Sequence, residues 1–216
     1  MDIFELIKTR RSARKFDARK IDPGLIEKII EAGTYAPSAC NIQGWRFVVL
    51  NKPEIKEKIF DLGGTVIIKS APIVILVFYD RRTTNIEYSD YIQSASAAIQ
   101  NMLLAATELG LGSCWIAHLP SKKDLQKLFN VPSHFEPIAA MALGHKDSSV
   151  IAQMPRKFAL EKIIGYNAFN LTEAGEGTAN LGLKRFLRKI YYFLPTSFKR
   201  ILNNFIDKRF VKKFKN

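Results

Sequence analysis

The sequence predicts an α+β fold in which helices cover both faces of a mixed β-sheet. Residues 72–79 form a continuous apolar run, which is typical of a central strand buried on both faces. Apolar residues recur at helical spacing in 25–30 and 92–106, and strand-like and helix-like segments alternate along the chain. At 216 residues and 47% hydrophobic composition, the chain is long enough for one domain with a full core.

Start and stop signals place the other elements. A short amphipathic helix is predicted over 2–8, and Asp22 with Pro23 supplies an N-cap and a first-turn proline for a helix that reaches residue 35. Gly110 ends a long helix that begins near residue 89, and Ser121 caps a helix that ends near residue 129. A further helix is predicted over 53–62, and the predicted strands are 45–50, 72–79, 112–117 and 137–143.

The net charge of +13 is concentrated at the C-terminal end. Residues 171–216 contain eleven Lys/Arg and three Asp/Glu, a net charge of +8, whereas residues 1–170 carry +5. Cys40 and Cys114 are too few for a disulfide framework and lack metal-site spacing, so we expect no metal and a reducing compartment. No signal-peptide pattern opens the sequence, and no stretch has the roughly 18 apolar residues of a membrane span. Together these features predict a cytoplasmic protein.

A dense group of cations follows the first predicted helix, formed by Arg10, Arg11 and Arg14 with Ser12 between them. Guanidinium groups and a hydroxyl in so short a stretch are suited to binding an anion such as a phosphate. The alternative is a solvated helix end, since cations near a helix C-terminus are favoured by about 0.3–1 kcal/mol. The cluster by itself leaves both interpretations open.

Four segments, taken in order, resemble the flavin-dependent nitroreductase family. They are residues 10–14, 37–45, 110–116, and 142–145 followed by 155–157. The resemblance extends from Ile3 to Ile164, about three quarters of the chain. It implies a domain over 1–170 that binds FMN. Beyond that domain the sequence leaves the family pattern, and residues 171–216 are predicted to form a basic helical tail.

The resemblance implies a homodimer with a flavin site at each of two subunit interfaces. NADH or NADPH is the implied electron donor, and a small oxidised acceptor such as a nitroaromatic or a quinone receives electrons by a ping-pong mechanism through flavin N5. Arg10 and Ser12 are implied to hold phosphate or ribityl oxygens. Arg14 is implied to lie by the N1 and O2 edge, where a cation stabilises the negative charge of the reduced ring. Arg11 is also included in the implied site.

Other segments contribute the remaining implied cofactor-binding residues. A loop after the second predicted helix is implied to reach across the dimer, and the third predicted strand is implied to run past the flavin. The neighbouring Lys157 is an alternative to Arg156 for the phosphate contact. The residues are Pro37, Ser38, Asn41, Gln43, Trp115, Ile116, Gly144 and Arg156.

The sequence contains no evident acid or base catalyst. The three histidines lack paired carboxylates or nucleophiles at useful spacing, so protons are expected to come from water. Two other functions stay open beside the general oxidoreductase. One is a dedicated biosynthetic dehydrogenase or dehalogenase of the same fold, and the other is a flavin-binding, membrane-associated accessory protein without turnover.

The tail is predicted to contain two basic amphipathic helices. Their apolar faces are Leu183, Phe186, Leu187, Ile190 and Leu194, and then Phe198, Ile201, Leu202, Phe205 and Ile206. These helices pack on the body or the partner subunit, or they attach residues 183–216 to an anionic membrane surface on its inner, cytoplasmic face. Nucleic acid is a third alternative, without a recognisable binding module.

Overall fold

The computed structural model describes residues 2–82, 85, 87–147, 158–168, 181–195 and 197–202. The chain divides into two compact units. The first, which we call the main unit, combines Met1–Ile151 with Pro195–Asn216, and the second is Ala152–Leu194.

The main unit is built on a four-stranded sheet whose spatial order is β1-β2-β4-β3. Each pair of neighbouring strands runs antiparallel. In the described chain, parallel pairing is limited to an isolated bridge between Ser12 and Ser113. The strands are β1 (Trp45–Leu50), β2 (Ile73–Asp80), β3 (Gly112–Ile116) and β4 (Phe135–Gly144).

Helices lie on both sides of this sheet, and the α+β class is confirmed. Asp22 caps the second helix by accepting a hydrogen bond from the Gly24 amide at 2.8 Å. The described helices are α1 (Ile3–Thr9), α2 (Pro23–Thr34), α3 (Pro53–Asp61), α4 (Val66–Ser70), α5 (Asp90–Glu108), α6 (Lys122–Leu128) and α7 (Leu181–Phe193). Short 3₁₀ turns occur at Ala39–Asn41 and Leu160–Lys162.

The predicted central strand is confirmed, since β2 lies between β1 and β4 with its interior residues buried. Its side chains alternate between two cores. Ile75 packs with residues of α2 and α5, such as Ile29 and Met102. Leu76 points to the other face, where it packs with residues of α3 and α4, such as Ile59 and Ile68. Burial of both faces leaves only the edges and ends of the sheet for polar chemistry.

After α1 the chain becomes extended and follows the edge strand β3. The amide of Ala13 donates to the Ser113 carbonyl at 2.8 Å, and the Asp17 amide donates to the His145 carbonyl at 3.1 Å. Phe16 covers Gly144 so closely that a Cβ atom added there would lie 2.6 Å from the phenyl ring. This contact fixes the segment that carries Arg10–Arg14 against the folded core.

The second unit contains α7 and the turn at Leu160–Lys162. Within the described part of the chain, no helix has the length and apolar character needed to cross a membrane.

Gly144→Ala is expected to lower the free energy of unfolding by about 1–3 kcal/mol, because its methyl group would force Phe16 off the sheet. The measurement is urea denaturation followed by circular dichroism. Gly24→Ala is the matched control, since its Cβ would meet only the Asp22 carboxylate at 3.4 Å. Its effect should stay within about 1 kcal/mol. Equal midpoints for the two variants would contradict the packing argument.

Candidate functional site

Backbone pairing places the predicted cationic segment beside β3. Arg10 is the C-cap residue of α1, and Ser12 forms the bridge to Ser113. Arg10 and Arg14 are half-buried, and Ser12 is exposed. The backbone of this segment is therefore paired with β3, which places its polar side chains at the edge of the sheet.

Arg10, Ser12 and Arg14, which we call the basic cluster, converge on Cys114 of β3. Burial raises the pKa of the Cys114 thiol. The positive charge of Arg14, a hydrogen bond with Ser12 and the charge of Arg10 oppose that rise in pKa. Cys114 is 3% exposed, so these three side chains act on it from beside the edge strand. Guanidinium groups and a hydroxyl beside one strand suit the binding of an anion.

Arg11 is oriented differently from its neighbours. Its guanidinium donates to the carbonyl oxygen of Lys8, and to that of Arg10 at 2.8 Å. These contacts satisfy carbonyl groups at the C-terminus of α1, where a cation is favoured by the helix dipole. For Arg11, the structure shows the helix-end role that the sequence offered as the alternative.

The other predicted residues of this region lie on or beside β3. Trp115 is half-buried against the core formed with α2 and α5, whereas Ile116, 4% exposed, faces the opposite core. Gly144 is paired with Gly112 at the end of the sheet nearest the basic cluster. Arg156 and Lys157 lie outside the described residues.

Sequence reasoning missed a buried hydroxyl group next to the cluster. Ser113 is 1% exposed, and its Oγ atom has no hydrogen-bond partner among the described residues. A buried hydroxyl without a partner costs about 1–3 kcal/mol. No pattern in the sequence predicts it, because a serine in a strand usually faces solvent or a backbone group.

The second predicted group lies in the loop between α2 and β1. Cys40, Asn41 and Gln43 have positive φ values of 50°, 55° and 52°, a conformation that costs non-glycine residues about 1–3 kcal/mol each. The Gln43 amide donates to Ser38 Oγ at 3.1 Å, and its side-chain amide donates to Asn41 Oδ1 at 2.8 Å. Pro37 precedes them and is exposed. Concentrated backbone strain of this kind favours a functional loop.

This loop and the basic cluster lie at opposite ends of the sheet. Trp45, which follows the loop, pairs with Tyr79 near the start of β4, whereas Gly112 pairs with Gly144 at its end. Eight residue steps of β4, from Glu136 to Gly144, separate the two pairs, a distance of about 27 Å. Among the described residues, one chain therefore does not bring the loop and the basic cluster into a single site.

A shallow cleft lies beneath the loop, and the sequence did not reveal it. It is lined by Ala39, Ile42, Tyr79, Asp80, Asp90, Tyr91 and Ser94. The Ala39 amide donates to Ser94 Oγ at 3.0 Å, which ties the loop to the first turns of α5.

A polar network stabilises the same end of the sheet. Tyr91 donates its hydroxyl hydrogen to Glu136 Oε1 at 2.9 Å, and Lys122 forms an ion pair with the same carboxylate. Burial and then the hydrogen bond to Glu136 raise the pKa of Tyr91 to about 12. Because Glu136 is 8% exposed, these partners keep a buried charge from being isolated.

Clusters of His, Cys, Asp and Glu that could hold a metal ion do not occur among the described residues. Of the histidines, His134 packs against Phe135 with ring centroids 4.6 Å apart, and the His145 carbonyl binds the Asp17 amide. These contacts are structural.

The Nitroreductase family sequence model matches residues 7–66 and 61–145. This match covers more than half of the chain. The chain belongs to the Nitroreductase family. The family membership expected from the sequence is thereby confirmed.

This nitroreductase-family chain is similar to a curated protein of Methanothermobacter thermautotrophicus, provisionally named NADH dehydrogenase/NAD(P)H nitroreductase. The two are 38% identical over 149 residues, which cover 67% of this chain and 78% of the relative.

Solved structures show the same similarity. An FMN-dependent nitroreductase from Clostridium difficile R20291 has a TM-score of 0.67 at 27% identity, covering 77% of this chain and 100% of that one. A protein from Desulfovibrio desulfuricans, provisionally called a nitroreductase and solved with FMN, has a TM-score of 0.65 at 30% identity. That match covers 78% of this chain and 98% of the other.

Tyr91→Phe is expected to reduce the free energy of unfolding by about 1–2 kcal/mol at pH 8, because buried Glu136 loses a donor. The pKa of Tyr91 is raised above its unfolded value of about 10, so the stability from its neutral phenol is complete below pH 10 and lost as the pH approaches 12. The difference in free energy of unfolding between the wild type and Tyr91→Phe, measured by urea denaturation, should therefore decrease between about pH 10 and pH 12. Tyr35→Phe, at a side chain that is 78% exposed, should change nothing at either pH.

Proposed function

We propose that this chain is an FMN-dependent NAD(P)H oxidoreductase that reduces a small oxidised acceptor of the nitroaromatic or quinone type. The observation that carries the proposal is the convergence of Arg10, Ser12 and Arg14 on the β3 edge. Related proteins whose names or structures include FMN and NAD(P)H support it. We further propose that residues 1–170 form the flavin-binding domain and that residues 171–216 form a basic amphipathic helical tail.

The donor set of the basic cluster fits the phosphate and ribityl groups of FMN. A phosphate monoester carries close to two negative charges at neutral pH, and planar guanidinium groups bind its oxygens in pairs. Arg10 supplies positive charge for the phosphate, Arg14 supplies a second positive charge for the ring, and the Ser12 hydroxyl can donate to neutral oxygens. Both arginines are half-buried, so water screens their charge less than at an open surface.

The two arginines are proposed to act differently. Arg10 and Ser12 bind the phosphate and ribityl oxygens, and Arg14 faces the pyrimidine edge of the ring. A positive charge there favours the reduced, more negative form of the cofactor. When bound, FMN supplies hydride and electron transfer, taking reducing equivalents from NADH or NADPH in one half-reaction and delivering them in the other. The protein positions the reactants and excludes side reactions.

A homodimer explains the separation of the predicted residues. The loop over 37–43 lies near the end of the sheet farthest from the basic cluster of its own chain. A two-fold axis can place the loop of one chain beside the cluster of the other. Because each contact across such an interface occurs twice, the dimer would then contain two equivalent sites. The exposed apolar side chains of α1, namely Ile3, Phe4 and Ile7, offer surface for that interface.

Arg10→Ala is expected to weaken FMN binding about 10- to 100-fold, the value of one charge-assisted phosphate contact, with little effect on riboflavin, which lacks the phosphate. Arg14→Ala should instead slow anaerobic bleaching of the flavin by NADH or NADPH more than it weakens FMN binding. Fluorescence titrations with both ligands and stopped-flow absorbance measure these effects.

Arg19→Ala is the matched control for these measurements, because Arg19 is an exposed arginine of the same stretch that pairs with Asp17 at 2.6 Å. It should bind FMN and riboflavin like the wild type. A colourless wild-type protein that takes up no added FMN would contradict the proposal itself. Equal FMN affinities for the wild type and both cluster variants would contradict the residue assignment.

Mixed dimers test whether the site is shared between chains. Pro37→Trp places a bulky ring on the exposed loop, and Arg10→Ala removes a phosphate contact, so each homodimer should bind little FMN. A mixed dimer keeps one intact site and should retain about half of the wild-type flavin content. Co-expression with two affinity tags and flavin absorbance give the measurement. Flavin content no higher than in the parent homodimers would refute the shared site.

A further inference from the structure

Helix α7 carries an apolar face that the described chain leaves open. Leu183, Phe186, Leu187 and Ile190 are 53%, 59%, 53% and 42% exposed. With 100° between successive residues, these four positions fall within an arc of about 100°. A continuous apolar stripe of this kind, rather than scattered apolar residues, indicates a contact surface.

The opposite side of α7 is basic by position. Residues 181–193 contain four Lys/Arg and no Asp/Glu. On the helix backbone, the positions of Lys184, Arg185, Arg188 and Lys189 fall opposite the apolar stripe, and the Lys189 side chain is exposed. The partner of this helix must therefore accept apolar groups while favouring nearby positive charge.

The helical segment 197–202, which belongs to the main unit, shows a related arrangement. Lys199 is 8% exposed, and Arg200 pairs with Asp61 at 3.4 Å and Glu57 at 3.9 Å on α3. Phe198, Ile201 and Leu202 are left 59%, 67% and 42% exposed. Here the cations attach the segment to the body, and the apolar side chains face outward.

Charge separates the possible occupants of these faces. A second α7 would bring four further Lys/Arg and no Asp/Glu to the same contact, so pairing of this helix with its own copy is opposed by repulsion. A nucleic acid would pair with the cations but leave the apolar stripe in water. An anionic lipid surface accommodates both the apolar stripe and the cations. The apolar side chains enter the boundary of the acyl chains, and the cations stay among the headgroups.

We propose that α7 binds flat on an anionic lipid bilayer, inserting the face formed by Leu183, Phe186, Leu187 and Ile190. The 13 residues of α7 span about 20 Å, less than the roughly 30 Å of a hydrocarbon core, so the helix lies in the membrane plane. This inference does not depend on the proposed flavin chemistry.

Co-sedimentation of the full chain with lipid vesicles tests the proposal. Vesicles of phosphatidylcholine with about 30% phosphatidylglycerol should bind the wild type at least about tenfold more tightly than pure phosphatidylcholine. Leu187→Glu should lose at least about tenfold of that binding, because it places a carboxylate in the inserted face. Lys189→Glu should lose several-fold, and raising the salt from about 0.1 M to 0.5 M should weaken binding of the wild type.

Two control variants make the same chemical changes elsewhere. Leu160→Glu alters a leucine that is 64% exposed outside α7, and Lys28→Glu alters an exposed lysine of α2. Both should bind vesicles like the wild type. Leu183→Ser serves as a milder second variant, and unchanged thermal unfolding midpoints confirm that each variant is folded.

Three results would overturn the proposal. The first is equal binding of the wild type to neutral and anionic vesicles, or binding to neither. The second is equal loss for Leu187→Glu and Leu160→Glu. The third is capture of the wild type by duplex DNA rather than by vesicles, with Leu187→Glu binding the DNA as tightly, which would assign the cations to a nucleic acid.

Discussion

Burial of both faces of the central strand pair is the constraint on which the rest of the structure depends. Strands β2 and β4 are covered by α2 and α5 on one side and by α3, α4 and α6 on the other. Polar chemistry is therefore confined to the edge strand β3 and to the two ends of the sheet. The basic cluster lies at the edge strand β3, and the strained loop after α2 lies at the end of the sheet farthest from it. Because the core fills both faces of the sheet, the two groups of candidate residues lie apart in one chain.

Much of this architecture could be predicted from the sequence, because local signals and burial agreed. The apolar run in β2, the Asp22 cap of α2 and the Ser121 cap of α6 each predicted an element that the structure contains. Helix α4 was missed, since Val66–Ser70 is too short to show a helical period. The antiparallel pairing of every strand was also missed, because an alternation of strands and helices does not fix strand direction.

The candidate site was only partly predictable. Motif order located the cationic segment, but only the three-dimensional structure separates Arg11, which binds carbonyls of its own helix, from the side chains near Cys114. The hydroxyl of Ser113 and the network of Tyr91, Glu136 and Lys122 join residues far apart in sequence. Periodicity and spacing carry no information about such contacts.

Pairing of the extended segment with β3 has a consequence for the protein without bound anions. The hydrogen bond from Ala13 to Ser113 and the packing of Phe16 on Gly144 hold the cationic segment against β3 whether or not a ligand is present. An anion that binds there therefore does not have to order this part of the chain. Because it would bind the folded protein and not the unfolded chain, it also stabilises the fold. The concentration of dissolved phosphate or sulfate therefore affects how long the purified protein remains folded.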